Sequence, residues 1–283
     1  MTKKTVLVVA LFKKLLNRVM EKTQVITNQK KSKNRVWEVD FLRGFCMLFV
    51  IWDHLMFDFA YLFQFSTPLG NAISVFARSY WTSGIRNATH DYFVGAFVVV
   101  SGISCVFTRN DFRKSLKIFG AGLLITVVTN FMAQYMGKGI IINFGVLHML
   151  GMCGFIWAML KTFKCPNWLV AILAVVSLVF GYYYQNQNLV TYVGAMWLFD
   201  SFQAHAQWSP GDFFPLLPWL GWFFVGVLIG NIFYKNKQTK LGFINEKVVS
   251  PITFVGRHSL LFYLLGQVLG IGLLFGLSTL GWL

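Results

Sequence analysis

Acidic residues are scarce in this chain: 10 Asp and Glu stand against 25 Lys and Arg, and charged residues make up only 12% of its 283 positions. Water-soluble domains devote roughly a quarter of their residues to charge, so a soluble globular fold is excluded as the simplest reading. The 6 prolines and 4 cysteines are too few for a proline-rich or disulfide-stapled scaffold. Cys46, Cys105 and Cys153 fall within apolar runs and Cys165 between two of them, with no CxxC or Cys/His spacing, so neither a redox motif nor a metal site is predicted. GxGxxG, Walker A, GxSxG and HExxH patterns are missing as well, which removes nucleotide-fold, hydrolase and zinc-protease readings. The net charge of +15 raises nucleic acid as a partner, but the positive residues form short clusters between apolar runs. No soluble basic face is available, and no nucleic-acid partner is expected.

Apolar residues dominate what is present: 56% of the chain is hydrophobic, with 30 Phe, 10 Trp and 10 Tyr. Runs near residues 39–63, 92–108, 116–134, 141–160, 168–184, 213–233 and 252–280 approach the length of a bilayer-spanning helix, about 17 to 25 residues. The fold expected is an all-α polytopic membrane bundle of about seven transmembrane helices. The last run is long enough to tilt or bend. Residues 191–202 are too few to span and are expected to pack against the outer mouth. Residues 6–20 combine an apolar run with Lys13, Lys14 and Arg18, the pattern of an amphipathic helix lying on the inner leaflet. Two parts follow: a basic cytoplasmic tail at 1–34 and the transmembrane domain at 35–283.

The positive residues test this count independently. Segment 1–37 holds ten Lys and Arg, and the connections at 109–117, 161–164 and 235–247 hold four, two and four, whereas the alternate connections hold only Arg78, Arg86 and Lys138. The positive-inside rule then predicts a multi-pass cell-membrane protein with a cytoplasmic N-terminus and an extracellular C-terminus. Arg43 and Arg257 lie inside the cytoplasmic ends of the first and seventh spans.

Chemistry begins in the first span. Asp40, Arg43, Met47, Val50, His54 and Asp58 recur at steps of three or four and line one helical face. Ionisable groups in hydrocarbon are costly unless paired or hydrated, so such a face marks a cavity or a route. Asp40 and Arg43 read either as an interfacial ion pair or as a substrate-binding pair. His54 and Asp58, at i and i+4, read as an imidazole oriented by a carboxylate or as a packed polar pair. Asp53 points elsewhere and suits an interhelical bond. Depth, at about 1.5 Å per residue, sorts the remaining groups. An outer layer of catalytic candidates holds His54, Asp58, His90, Asp91 and His148, and an inner layer holds Asp40, Arg43, Arg257 and His258. The inner arginines suit either phosphate binding or lipid headgroup anchoring.

The run 35–44, followed by Asp53, His54 and Asp58, resembles the opening of the catalytic domain of bacterial relatives of heparan-alpha-glucosaminide N-acetyltransferase. Segments 93–104, 145–151, 213–221 and 256–265 resemble the same family in order. Where relatives read Leu-His-Gln-Pro, this chain has Leu265, Gly266, Gln267 and Val268, so a family histidine is missing and Gln267 remains as a polar remnant, grouped with the cofactor-binding candidates.

The resemblance implies an integral membrane acyltransferase that takes an acetyl or other acyl group from cytosolic acetyl-CoA or another acyl-CoA. Its acceptor would be an amine or hydroxyl of a sugar, envelope glycan or glycolipid on the outer side. The cofactor phosphates would meet Arg43, Arg257 and His258, and the acyl group would meet His54 or His90. Membrane lipid and the glycan acceptor are the expected partners, and a homodimer is compatible with the sequence. The alternative is a proton-coupled transporter or channel using the same His and Asp groups.

Overall fold

The structure is a computed structural model that describes residues 36–186, 208–241 and 248–281. The expected amphipathic helix at 6–20 and the short stretch at 191–202 lie outside the described residues.

Helix α1 (Trp37–Phe57) continues into a π-helical turn, Asp58–Leu62. The Phe63 N–H reaches the Asp58 carbonyl at 3.1 Å, the wide spacing that defines such a turn. Helix α2 (Pro68–Trp81) begins where its chemistry dictates: Thr67 accepts from the Gly70 N–H at 3.0 Å, and Pro68 takes a first-turn position where its missing N–H costs nothing. It packs against the π turn and satisfies its backbone. Ser74 Oγ donates to the Phe59 carbonyl at 2.8 Å, and Arg78 Nε donates to the Ala60 carbonyl at 2.9 Å.

Ser83 caps α3 (Gly84–Ile103), which tightens into a 3-10 turn at Ser104–Phe107, and Asn110 caps α4 (Asp111–Met136). Then follow α5 (Val146–Thr162), α6 (Asn167–Asn186), α7 (Leu216–Phe233), α8 (Ser250–Arg257) and α9 (Ser259–Thr279). Among the described residues, β structure is limited to the isolated parallel bridge between Phe144 and Phe213.

Six of these helices are long and apolar enough to cross a membrane: α1 with its π turn, α3 with its 3-10 turn, α4, α6, α7 and α9. The seventh expected span is the 17-residue α5. The final apolar run is divided at His258 into α8 and α9. Together these form an all-α membrane bundle.

The most extensively packed helix pairs are α6 with α7, α4 with α5, α3 with α7 and α1 with α8. Their shared core contains Met47, Val98, Met149, Cys153, Val170, Phe224 and Val227. At the α3–α7 crossing a Cβ on Gly102 would strike the Phe223 carbonyl, and one on Gly226 would strike the Val99 carbonyl. Backbones this close gain dispersion contacts, which must drive helix association where lipid supplies no hydrophobic force. Leu123, Val127 and Phe131 of α4, and Leu265, Val268 and Phe275 of α9, are exposed and form lipid-facing surface.

Candidate active site

The two ends of α1 carry different chemistry. At its start, Asp40 stands between two guanidinium groups: Arg43 Nη1 lies 3.3 Å from Oδ1 and Arg257 Nε lies 3.4 Å from Oδ2. Arg43 Nη1 also donates to the Gly256 carbonyl at 3.3 Å, and its Nη2 donates to Ser104 Oγ. Ser104 in turn donates to the Val100 carbonyl at 2.6 Å. The arginine is thereby fixed by α1, α3 and α8 together. Gly44 and Gly256 make this contact: a Cβ on Gly44 would meet the Ile252 carbonyl, and one on Gly256 would meet the Asp40 carbonyl. Glu38 is buried beside them, where it accepts from the Lys240 N–H at 2.6 Å and from Thr239 Oγ1 at 2.7 Å.

A further cation belongs to this end. Lys114 of α4 lies within electrostatic reach of Arg43, Asp111 and Lys161, and Lys161 Nζ is 2.6 Å from Asp111 Oδ2. His258 is exposed, with its Nδ1 3.0 Å from the Phe254 carbonyl and its ring 4.6 Å from that of Phe254.

At the other end of α1, the His54 ring meets Tyr263 of α9 edge to face at 6.4 Å. Asp53, Arg86 and His90 lie within electrostatic reach of His54. Asp53 turns toward α2 and α3, accepting from Tyr80 Oη at 2.9 Å and from Arg86, whose guanidinium sits 3.8 Å over the Trp81 ring. This is the interhelical bond expected of it. His90 Nδ1 is 3.2 Å from Asp91 Oδ1, and the Asp91 side chain is 80% exposed.

Asp58 departs from the sequence expectation. Of the described residues, Gln267 alone bonds its carboxylate, with Nε2 at 2.9 Å from Oδ1 and 3.1 Å from Oδ2. No His54–Asp58 hydrogen bond forms. Asp58 opens the π turn and faces α9, where the amide of Gln267 takes the place expected for the imidazole. Gln267 therefore sits with the His54 group rather than with the arginines, and its Oε1 is buried without a partner.

His148 lies at the start of α5 and is 1% exposed. The Gly145 N–H donates to its Nδ1 at 3.2 Å, so that nitrogen carries no proton. Its Nε2 is 3.2 Å from Thr126 Oγ1, which itself donates to the Ile142 carbonyl at 2.8 Å. Counting protons, Nε2–H donates to Thr126, and both ring nitrogens are engaged. Phe119 and Phe144 hold the ring between them, each at 5.6 Å.

Asp212 is the acidic group that sequence reasoning missed. Its Oδ2 accepts from the Val146 N–H at 3.1 Å, at the N-terminus of α5, where a negative charge is favoured. It lines the same shallow recess as His148 and Tyr263. Burial pushes the Asp212 carboxyl up from the ordinary 3.8 to about 7, against the opposing effect of the Val146 N–H. The native state therefore binds this proton more tightly than the unfolded chain does, and the associated stability is lost as pH rises through that window. Asp212→Asn keeps an oxygen for the Val146 N–H and removes the ionisation. Its melting temperature relative to the parent protein is expected to be higher at about pH 8 than at about pH 5. An offset that does not change with pH would place the ionisation elsewhere.

A family model described as "Heparan-alpha-glucosaminide N-acetyltransferase, catalytic" matches residues 35–268. The chain belongs to this family. The match places it in a family of membrane acetyltransferases and spans both ends of α1, the α5 cap and the Asp212 loop. No curated protein and no solved structure matches the chain.

Within this family member the candidates separate into three neighbourhoods. Asp40, Arg43 and Arg257 come together at the start of α1, with Lys114 nearby. His54, Asp58, Gln267 and Tyr263 share the α1–α9 interface, with His90 in the electrostatic field of His54. His148 and Asp212 flank the α5 cap and meet the second group through Tyr263. Among the described residues, no cluster of three or more His, Cys, Asp or Glu is placed to hold a metal ion.

Proposed function

We propose that this protein is an acyl-CoA-dependent acyltransferase that moves an acetyl or other acyl group to an amine or hydroxyl of a sugar, envelope glycan or glycolipid. One observation carries the reading beyond the family match: a fixed cationic cluster and a polar imidazole group occupy opposite ends of one membrane-spanning helix. Arg43 and His54 are 11 residues apart, or about 16 Å along the axis. The extended arm of a thioester cofactor covers that distance. The positive clusters in the connections favour a cytoplasmic Arg43 end, with His54 toward the outside.

In this reading Arg43, Arg257 and Lys114 bind the cofactor phosphates. Arg43 suits the task because its side chain is held from three helices before the ligand arrives. His54 accepts the proton of the acceptor N–H or O–H as that atom attacks the thioester carbonyl. A carbon–nitrogen or carbon–oxygen bond forms, the carbon–sulfur bond breaks, and the departing thiolate takes up a proton. His90, beside Asp91, supplies a second imidazole on the same side. His148, with both nitrogens engaged, holds the start of α5 in place.

The test is free-CoA release by the protein in sealed vesicles supplied with acetyl-CoA and glucosamine. Acceptor-dependent release is the expected result, and solute uptake or current without acetyl-CoA consumption would replace the enzyme with a transporter. Arg43→Gln is expected to weaken acetyl-CoA binding by roughly 10- to 100-fold, from the loss of charged hydrogen bonds worth about 1.5 to 3 kcal/mol. Titration calorimetry in nanodiscs measures this, and an unchanged affinity would take Arg43 out of the cofactor site.

A further inference from the structure

The connection leaving α7 is pinned on two sides of the Arg43 cluster. At its start the Lys237 N–H donates to the Tyr234 carbonyl at 2.8 Å, and the Tyr234 ring meets that of Phe107 edge to face at 6.1 Å. Phe107 closes the 3-10 turn that carries Ser104, whose hydroxyl is bonded to Arg43. Further along, the Lys240 N–H and Thr239 Oγ1 each take one oxygen of Glu38, at 2.6 and 2.7 Å. Glu38 stands just ahead of Asp40 on α1 and is 4% exposed. A buried carboxylate is costly unless its oxygens are bonded. Both oxygens of Glu38 go to this one segment, so a charge-assisted pair of bonds ties it to α1.

The segment so held is basic. Lys235, Lys237 and Lys240 are all exposed, and among the described residues none of their side chains has a hydrogen bond or ion pair. Held between Phe107 and Glu38, these charges act on the arginine cluster over distances that dilute salt screens weakly, since the Debye length is about 30 Å at 0.01 M. The neighbouring carboxylates cancel only part of the field: Asp40 is shared between Arg43 and Arg257, and Glu38 stands alone against the lysines. A positive field around a fixed guanidinium attracts ligands that carry several negative charges. A phosphate-bearing cofactor has that chemistry, and a neutral thioester arm does not.

We propose that residues 234–241 form a basic collar, latched by Glu38, that binds the phosphate-bearing end of acyl-CoA beside Arg43. This rests on the acyl-CoA half of the reading above. It adds Lys235, Lys237 and Lys240 to the cofactor-binding groups and makes Glu38 their positioning residue.

The test measures acetyl-CoA affinity by calorimetry in phosphatidylcholine nanodiscs, whose surface carries no net charge to occupy the lysines. A second probe, acetyl-pantetheine, has the thioester arm without phosphate and is read by competition. Changing Lys235, Lys237 and Lys240 together to Gln alters only exposed side chains. Acetyl-CoA is then expected to bind roughly 10-fold more weakly in about 0.01 M salt and within about twofold of the parent in about 1 M, where the Debye length is about 3 Å. Acetyl-pantetheine should stay within about twofold of the parent at both salt concentrations. Glu38→Ala separates a latch from a plain charge. By Coulomb attraction alone, losing a carboxylate beside a phosphate site strengthens anion binding. Release of the collar weakens it, and weaker acetyl-CoA binding is the expected result. Unchanged acetyl-CoA affinity in the lysine variant would overturn the proposal, as would an equal loss for both probes. Equal or tighter binding in Glu38→Ala would remove the latch. A parent protein that shows the expected affinities yet releases no CoA with glucosamine would bring down acyl transfer and leave the collar in place.

Discussion

His54→Ala is expected to leave acetyl-CoA affinity unchanged and to slow acyl transfer by about two to four orders of magnitude, the usual contribution of a positioned general base. The separation of effects follows from the layout of α1. The arginines at its start are tied to Asp40, Ser104 and the Gly256 carbonyl, and none of these groups touches His54. The imidazole is held by Tyr263 through an aromatic edge, so the truncation removes a titratable ring without leaving a buried polar partner unsatisfied. Stability should change little beyond the lost packing. Initial rates of CoA release at saturating acetyl-CoA, read beside calorimetric affinity, separate the two quantities. Full turnover in this variant would pass the role of base to His90, which lies in the same electrostatic field.

The second large effect is mechanical. Gly256→Ala places a methyl group against the Asp40 carbonyl and 2.8 Å from the Gly44 nitrogen, both of them backbone atoms that cannot rotate away. Overpacking typically costs about 1 to 3 kcal/mol, and a collision of backbone with backbone belongs toward the upper end. Helix α8 must move off α1, and Arg257 then draws away from Asp40 while the Gly256 carbonyl leaves Arg43. A lower melting temperature and weaker acetyl-CoA binding should therefore appear together. If stability fell while affinity held, the arginine cluster would not need α8 for its geometry.

Much of the architecture was legible because lipid imposes a simple requirement: long apolar runs must become helices, and charges must avoid the hydrocarbon. Each of the seven runs falls on a helix, including the short α5. Helix α2 escaped notice because its 14 residues are amphipathic and too few to span, although Thr67 and Pro68 signal its start. The break at His258 was likewise hidden within one continuous apolar run. At the site, spacing by three and four correctly gathered Asp40 with Arg43, but it also paired Asp58 with His54. Helical periodicity says which residues share a face and nothing about which neighbour arrives there first, and here Gln267 of α9 does. Asp212 stands just ahead of the 213–221 segment in a connection, where neither periodicity nor hydropathy marks it. Lys114 was read only as a marker of sidedness, since its nearness to Arg43 depends on how α4 packs.

The π turn at Asp58–Leu62 sets the phase of everything beyond it. Excising a single residue there would restore an ordinary helical repeat and swing the following backbone through about 100°. The Phe59 and Ala60 carbonyls would rotate out from under Ser74 and Arg78, leaving α2 without its two anchors while Asp40, Arg43 and His54 kept their places upstream. The placement of α2 is thus indexed to one extra amino acid.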